Sequence, residues 1–194
     1  MKTRKLITSS VVLSAILVSV SIPTGLAFAA TTASTKADVE LTAGTGSGGA
    51  GPLNLDKAPA FNFGSQEIAT TLKTYNADGD VPLTVSDIRG TGEGWTVNAK
   101  ITTFASTDRT LTGAEFILPA VVPTSPEGNS PKPDDTKATT LNATDQQVFG
   151  AKKDTGLGQW KAKYDKAELK IPSGNYAGKY SATIEWTLLA QPAV

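Results

Sequence analysis

Two stretches of strict alternation limit what this chain can fold into. In Tyr180-Ser181-Ala182-Thr183-Ile184-Glu185-Trp186-Thr187-Leu188, the side chains of Tyr180, Ala182, Ile184, Trp186 and Leu188 fall on one face of an extended chain. Ser181, Thr183, Glu185 and Thr187 fall on the other. Trp95, Val97, Ala99 and Ile101 alternate in the same way with Thr96, Asn98, Lys100 and Thr102. Shorter segments repeat the theme: Leu83 and Val85 between Thr84 and Ser86, Trp160, Ala162 and Tyr164 between Lys161, Lys163 and Asp165, and then Leu169 and Ile171. Glycine and proline are scattered densely, threonine is abundant, and runs with helical spacing are hard to find. The expected class is therefore all-β, an antiparallel β-sandwich with one face of each sheet in water.

The first 29 residues read as a secretory signal peptide. Lys2, Arg4 and Lys5 precede the apolar run from Val11 to Val20, and Ala27-Phe28-Ala29 supplies the small residues of a cleavage site. Cleavage after Ala29 would leave residues 30–194, long enough for one domain with its own core. Three of the 18 basic residues lie in the signal, so the remainder carries 15 basic against 18 acidic residues, a balance of −3. Such a balance, with no basic run, argues against a nucleic-acid partner. Cysteine is absent, which excludes disulfides, thiolate metal sites and a lipoprotein anchor. No later apolar run is long enough to span a membrane. With no Leu-Pro-x-Thr-Gly sorting signal either, retention at the cell surface is expected to be non-covalent. Two segments read as loops: the glycine-rich Thr45 to Pro52, and an excursion at 123–136 carrying Pro123, Pro126, Pro131 and Pro133, extended by its prolines and solvated at Asp134-Asp135.

Histidine is also absent, which rules out Ser-His-Asp and Cys-His hydrolase chemistry and histidine metal sites. A glycosidase needs only two carboxylates across a cleft, but Glu93, Glu115, Glu168 and Glu185 stand in unrelated contexts. No enzyme activity and no cofactor are expected. Asn76-Ala77-Asp78-Gly79-Asp80 resembles the start of a calcium loop, yet Val81 takes the glycine position and Asp87 stands where a bidentate glutamate belongs. A turn rich in Asp and Gly accounts for it, and no metal site is expected. Lys161, Lys163, Lys166 and Lys170 suggest a basic stripe, but Asp165 and Glu168 dilute it, so a solvated face is the better reading.

The tryptophans carry the remaining information. Burying one removes on the order of 150–250 Å² from water, roughly 4–6 kcal/mol gross, so core packing alone would justify them. An exposed aromatic face also stacks on the C–H face of a sugar ring, and both roles stay open for Trp95 and Trp186. The tripeptides Trp95-Thr96-Val97 and Trp186-Thr187-Leu188 are also candidates to pack against each other as one site.

The chain resembles the WxL family of surface proteins of low-GC Gram-positive bacteria. The resemblance runs through Ala37-Asp38-Val39-Glu40-Leu41, Phe61-Asn62-Phe63-Gly64, Val85-Ser86-Asp87-Ile88-Arg89-Gly90 and Gly178-Lys179-Tyr180 to Glu185-Trp186-Thr187-Leu188. It implies an exported protein held on the cell wall by non-covalent attachment to peptidoglycan. The matching motif positions are Trp95 and Val97, with valine in place of the motif's leucine, and Trp186 and Leu188. The resemblance further implies adhesion to host or plant material, host extracellular matrix included, and companion membrane-anchored surface proteins as partners. Residues 30–194 then read as a wall-binding domain without a separate adhesive module. The competing readings are a structural subunit of an extracellular complex, retained through a partner protein, and an enzyme acting on wall glycan.

Overall fold

Most of the alternating segments become strands, although residues 180–183 stay outside the last one. The computed structural model describes residues 36–46, 51–128 and 131–194. The expected signal peptide and the middle of the glycine-rich loop lie outside the described residues. Within them, ten strands and no helix form: β1 Leu53–Lys57, β2 Lys73–Ala77, β3 Leu83–Asp87, β4 Trp95–Ile101, β5 Glu115–Leu118, β6 Thr139–Leu141, β7 Gln146–Ala151, β8 Gly158–Ala162, β9 Ala167–Ile171 and β10 Ile184–Leu189. All pairs are antiparallel, in three sheets ordered β1-β3-β8, β10-β4-β7 and β2-β9-β5-β6. The class is all-β and sandwich-like, and residues 40–194 form one compact unit.

Two of the sheets share one bent ribbon. The segment carrying β2 and β3 runs against the segment carrying β8 and β9, from Lys73 opposite Ile171 to Ala77 opposite Ala167, and then from Leu83 opposite Ala162 to Asp87 opposite Gly158. Between these halves lies a corner where the strands change sheets, as strands do in sandwiches that turn at bulges or bends. There Gly79 N–H donates to Tyr164 O at 2.8 Å, and Lys166 adopts φ +60°, uncommon for a residue with a Cβ. The Asp78 and Asp80 carboxylates serve this corner, accepting from Lys166 N–H and Ala60 N–H at 2.8 Å each. The calcium-like segment is thus a turn whose oxygens satisfy backbone donors.

The sheets close around one core. Leu83, Val85, Phe116, Leu118, Leu141, Trp160, Ala162 and Tyr164 join the inward residues of β4 and β7 in a single buried cluster. Trp95 is its largest fully buried side chain, with no exposed surface. Its ring meets Phe149 edge-on at 4.8 Å and 80°, a favoured aromatic geometry worth about 0.5–1.5 kcal/mol beyond burial. Its indole N–H donates to Gly156 O at 3.0 Å. Gly156 has φ +75°, and a Cβ there would lie 2.3 Å from the Ala151 Cβ and 2.9 Å from the indole nitrogen. Only glycine lets the loop come close enough to accept that proton.

The residues before β4 are fixed by a buried ion pair. Asp87 is 1% exposed, and Arg89 meets both of its oxygens, Nε to Oδ1 at 3.0 Å and Nη2 to Oδ2 at 2.8 Å. The same guanidinium donates to Gly94 O at 2.7 Å and reaches Glu93 at 3.4 Å. Hydrogen bonding to Asp87 is the main cause that holds the guanidinium pKa above its ordinary value, against the cost of burial. Residues 88–94 are drawn in by these bonds and deliver Trp95 to the core.

The excursion is anchored at several points. Thr124 exchanges both backbone hydrogen bonds with Lys161 at 2.9 Å, Pro131 O accepts from Gly156 N–H at 2.9 Å, and Thr136 exchanges bonds with Val121. Pro123, Pro133 and Thr136 are buried, whereas Asp134 and Asp135 face solvent. Asp134 pairs with Lys152 at 2.6 Å, and that hydrogen bond holds its carboxyl below the usual carboxylate range.

Three substitutions at Arg89 and Gly156 test the ion pair and the glycine contact by urea denaturation. Arg89→Ala should cost about 3–5 kcal/mol, because it leaves the Asp87 charge buried and unpaired, and Arg89→Lys should restore less than half of that, since an ammonium cannot make both parallel bonds. Gly156→Ala should cost more than the roughly 1 kcal/mol of an ordinary glycine replacement in a left-handed turn and should shift the Trp95 emission.

Candidate functional site

The two tryptophan motifs are brought together as neighbours in one sheet. Register sets Trp186 opposite Ala99 and Leu188 opposite Val97, and directly opposed residues of an antiparallel pair share a face. Trp95, Val97, Trp186 and Leu188 therefore line the same inward side of the β4–β10 ribbon. Their burial differs sharply. Trp95 and Val97 have no exposed surface, because β4 is central between β10 and β7. Trp186 and Leu188 are half-buried, packed against the core from β10 at the sheet's edge. Trp186 leans on Tyr164 at 6.4 Å between ring centroids, tilted by 32°. The Tyr164 hydroxyl donates to Val148 O at 2.8 Å, and burial pushes its pKa well above the ordinary phenol value, so it stays a neutral donor.

The chain beyond β10 crosses the opposite face of the same sheet. Thr96 Oγ1 donates to Gln191 O at 3.1 Å, and Ala193 N–H donates to Ala151 O at 3.1 Å. Thr96 is consequently only 4% exposed, although alternation assigns it to the solvent face. Gly150 makes room for this crossing, since a Cβ there would sit 2.8 Å from the Ala193 methyl.

A second feature lies just upstream of β10, and the strand pattern gave no sign of it. A groove of about 740 Å³ is lined by Phe61, Phe63, Tyr75, Phe104, Tyr176 and Tyr180, with the buried Leu111 and Leu169 also among its walls. Phe61 and Phe63 rest edge-on against Phe116 at 5.2 and 6.0 Å. Local hydrogen bonds fix the walls: Gln66 Nε2 to Phe63 O at 2.6 Å, Gly64 N–H to Asn62 Oδ1 at 2.9 Å and Tyr180 hydroxyl to Tyr176 O at 3.0 Å. Asn175 joins two loops, accepting from Thr112 N–H at 2.8 Å and donating to Thr112 O at 3.1 Å. The sequence signal for this groove is Phe61-Asn62-Phe63 and the Tyr176 to Tyr180 segment, aromatics beside glycine or amide residues of which only Tyr180 belongs to an alternating run.

The lysine stripe is divided by its own acids: Lys163 pairs with Asp165 at 3.2 Å and Lys170 lies 3.8 Å from Glu168. Among the described residues, no group of three or more acidic side chains is placed to hold a metal ion, and no helix is long and apolar enough to cross a membrane.

A family model described as WxL domain surface cell wall-binding matches residues 29–192. No curated protein and no solved structure matches the chain.

The burial difference between the motifs predicts unequal costs. Trp95→Ala should destabilise by about 3–5 kcal/mol, and Trp186→Ala by less, in proportion to the smaller apolar area it buries. Urea midpoints of the two variants check this, and equal costs would show that β10 is as deeply held as β4.

Proposed function

The chain belongs to the WxL family of surface cell wall-binding domains, and from that premise we propose that it binds peptidoglycan directly, without a covalent link. Family membership assigns it to the cell surface in association with the wall, within a wall-binding rather than an enzyme family. The finer claim concerns what is bound and how. Retention depends on both motifs, in different ways. Trp95 and Val97 act from inside, by giving β10 a rigid partner. Trp186 and Leu188 act at the margin, where each side chain keeps part of its surface available. The observation that carries this reading is the direct pairing of the two motifs, Leu188 against Val97, in one ribbon at a sheet edge. Residues 1–29 direct export and residues 30–194 bind the wall, with this domain's surface also offered to support adhesion.

A second reading is favoured by one feature. β10 has a partner only on its β4 side among the described residues, and a free apolar edge suits strand addition by another protein. Companion membrane-anchored surface proteins, or host matrix proteins, would dock there, and wall association would follow from the partner.

Co-sedimentation separates the two. The secreted protein should pellet saturably with peptidoglycan stripped of protein and teichoic acid, and Trp186→Phe, which keeps the fold, should pellet less. Retention on intact cells but not on stripped sacculi would transfer the binding to a partner protein or a secondary polymer.

A further inference from the structure

We infer that the aromatic groove upstream of β10 is the surface that holds the wall polymer, and that its ligand is the neutral, N-acetylated glycan strand rather than a stem peptide or a polyphosphate. The inference rests on the peptidoglycan reading above and assigns the contact to residues outside both motifs.

Ring chemistry comes first. Six aromatic side chains border one groove, and flat aromatic faces match the apolar C–H faces of pyranose rings. The amides come second. Asn62 uses only its oxygen and Gln66 only its nitrogen in the bonds that shape the wall, which leaves an amide N–H₂ and an amide carbonyl for hydroxyl and acetamido groups. A volume of about 740 Å³ is within the usual range for a small-ligand site, roughly 300–1,000 Å³.

Charge decides between polymers. Lys179 is offset by Glu67 along the groove, and Arg109 by Asp108 beyond it. A phosphate-rich chain calls for an unopposed positive field, whereas a neutral glycan needs none. Shape decides between a compact ligand and a chain. Asn175 and Tyr176 border both the groove and a shallower depression of about 470 Å³ formed by residues 105–110, Thr112 and Gly174. Tyr176 stands at that junction, 66% exposed, with the Arg109 guanidinium 3.7 Å from its ring centre. This cation–π contact restrains the ring, and the two depressions meet at Asn175 and Tyr176, giving the extended surface that a linear polymer requires.

The groove also gives the motifs a mechanical role. Residues 176–182 form one wall, and the chain passes from them directly into β10. The wall is hydrogen-bonded to the chain after β4 through Ala105 and Ser181, which exchange both backbone bonds at 2.9 Å. Trp186 and Leu188, held against β4, are therefore positioning residues for this wall.

Tyr176→Ala and Tyr176→Phe test the assignment, because the ring is exposed and its removal spares the core. With the full secreted chain and sacculi free of protein and teichoic acid, Tyr176→Ala should bind at least about tenfold more weakly, about 1.4 kcal/mol, with an unchanged melting temperature. Tyr176→Phe should stay within about twofold of the parent. A hexamer of N-acetylglucosamine, neutral and N-acetylated, should compete, while stem peptides and polyphosphate should not. Saturable binding by the parent with Tyr176→Ala equally tight, or competition by stem peptide or polyphosphate alone, would overturn the groove and leave wall binding intact. Failure of the parent to bind sacculi at all would overturn the peptidoglycan reading and the groove together.

Discussion

A fully buried indole brings a hydrogen-bond donor into the core, and leaving that donor unpaired costs about 1–3 kcal/mol. Trp95 meets this demand through Gly156 O, so a loop between β7 and β8 must pass within 3.0 Å of a ring in the middle of a sheet. That approach requires a glycine in a left-handed conformation, and the loop is held from its other side by Pro131 O on the Gly156 N–H. The excursion, the β7–β8 connection and the central strand are thus tied by one side chain. The Asp87–Arg89 pair works on the same end of that strand, folding residues 88–94 against the point where Trp95 begins. A buried ion pair contributes little net stability. Its value here is geometric, since a charged group that must be matched admits one arrangement of the loop.

With β4 fixed, β10 has a defined template. Leu188 opposite Val97 and Trp186 opposite Ala99 are a register that a slip of one residue would reverse, turning every inward side chain to the solvent face. The polypeptide beyond β10 adds a second lock, because it crosses the outer face and pairs with Ala151 and Thr96. The chain that leaves β10 is therefore anchored across the outer face of the sheet, on β4 and β7, although β10 itself lies at the edge.

Much of this was legible from alternation alone. β3, β4, β8, β9 and β10 follow the period-two segments, because each presents one face to the core and one to water. The strands that escaped notice have physical reasons to do so. β7 carries a bulge where the register shifts opposite Val97 and Asn98, so Val148 and Phe149 are buried in succession and no alternation survives. β5 and β6 have four and three residues, too few to show a period. Thr96 was assigned to solvent because covering by a distant segment leaves no local trace. The pairing of the two motifs was foreseen as a possibility from their similarity, but the split between fully buried and half-buried members depends on strand order, which spacing does not encode. The groove was invisible for a related reason. Its aromatics come from four separate stretches, around residues 61–63, 75, 104 and 176–180, and only the β4–β10 ribbon and the bent ribbon bring them together.

Tryptophan in an exported wall protein invites the assumption that the indole touches the sugar. Physical accounting points elsewhere for half of this pair. Trp95 offers no surface to a ligand, and exposing it would forfeit its apolar burial, its contact with Phe149 and its bond to Gly156 together. A side chain so committed to the core is costly to replace whether or not the domain binds anything. Loss of retention on its removal would therefore report on folding before it reported on recognition. Contact residues face the opposite requirement: they must remain partly wet in the free protein and be held still by something other than burial. Tyr176, exposed and stacked beneath a guanidinium, meets that requirement. On the proposed reading the demand on the motif is architectural: it places the chain that enters β10, and recognition falls to the neighbouring groove.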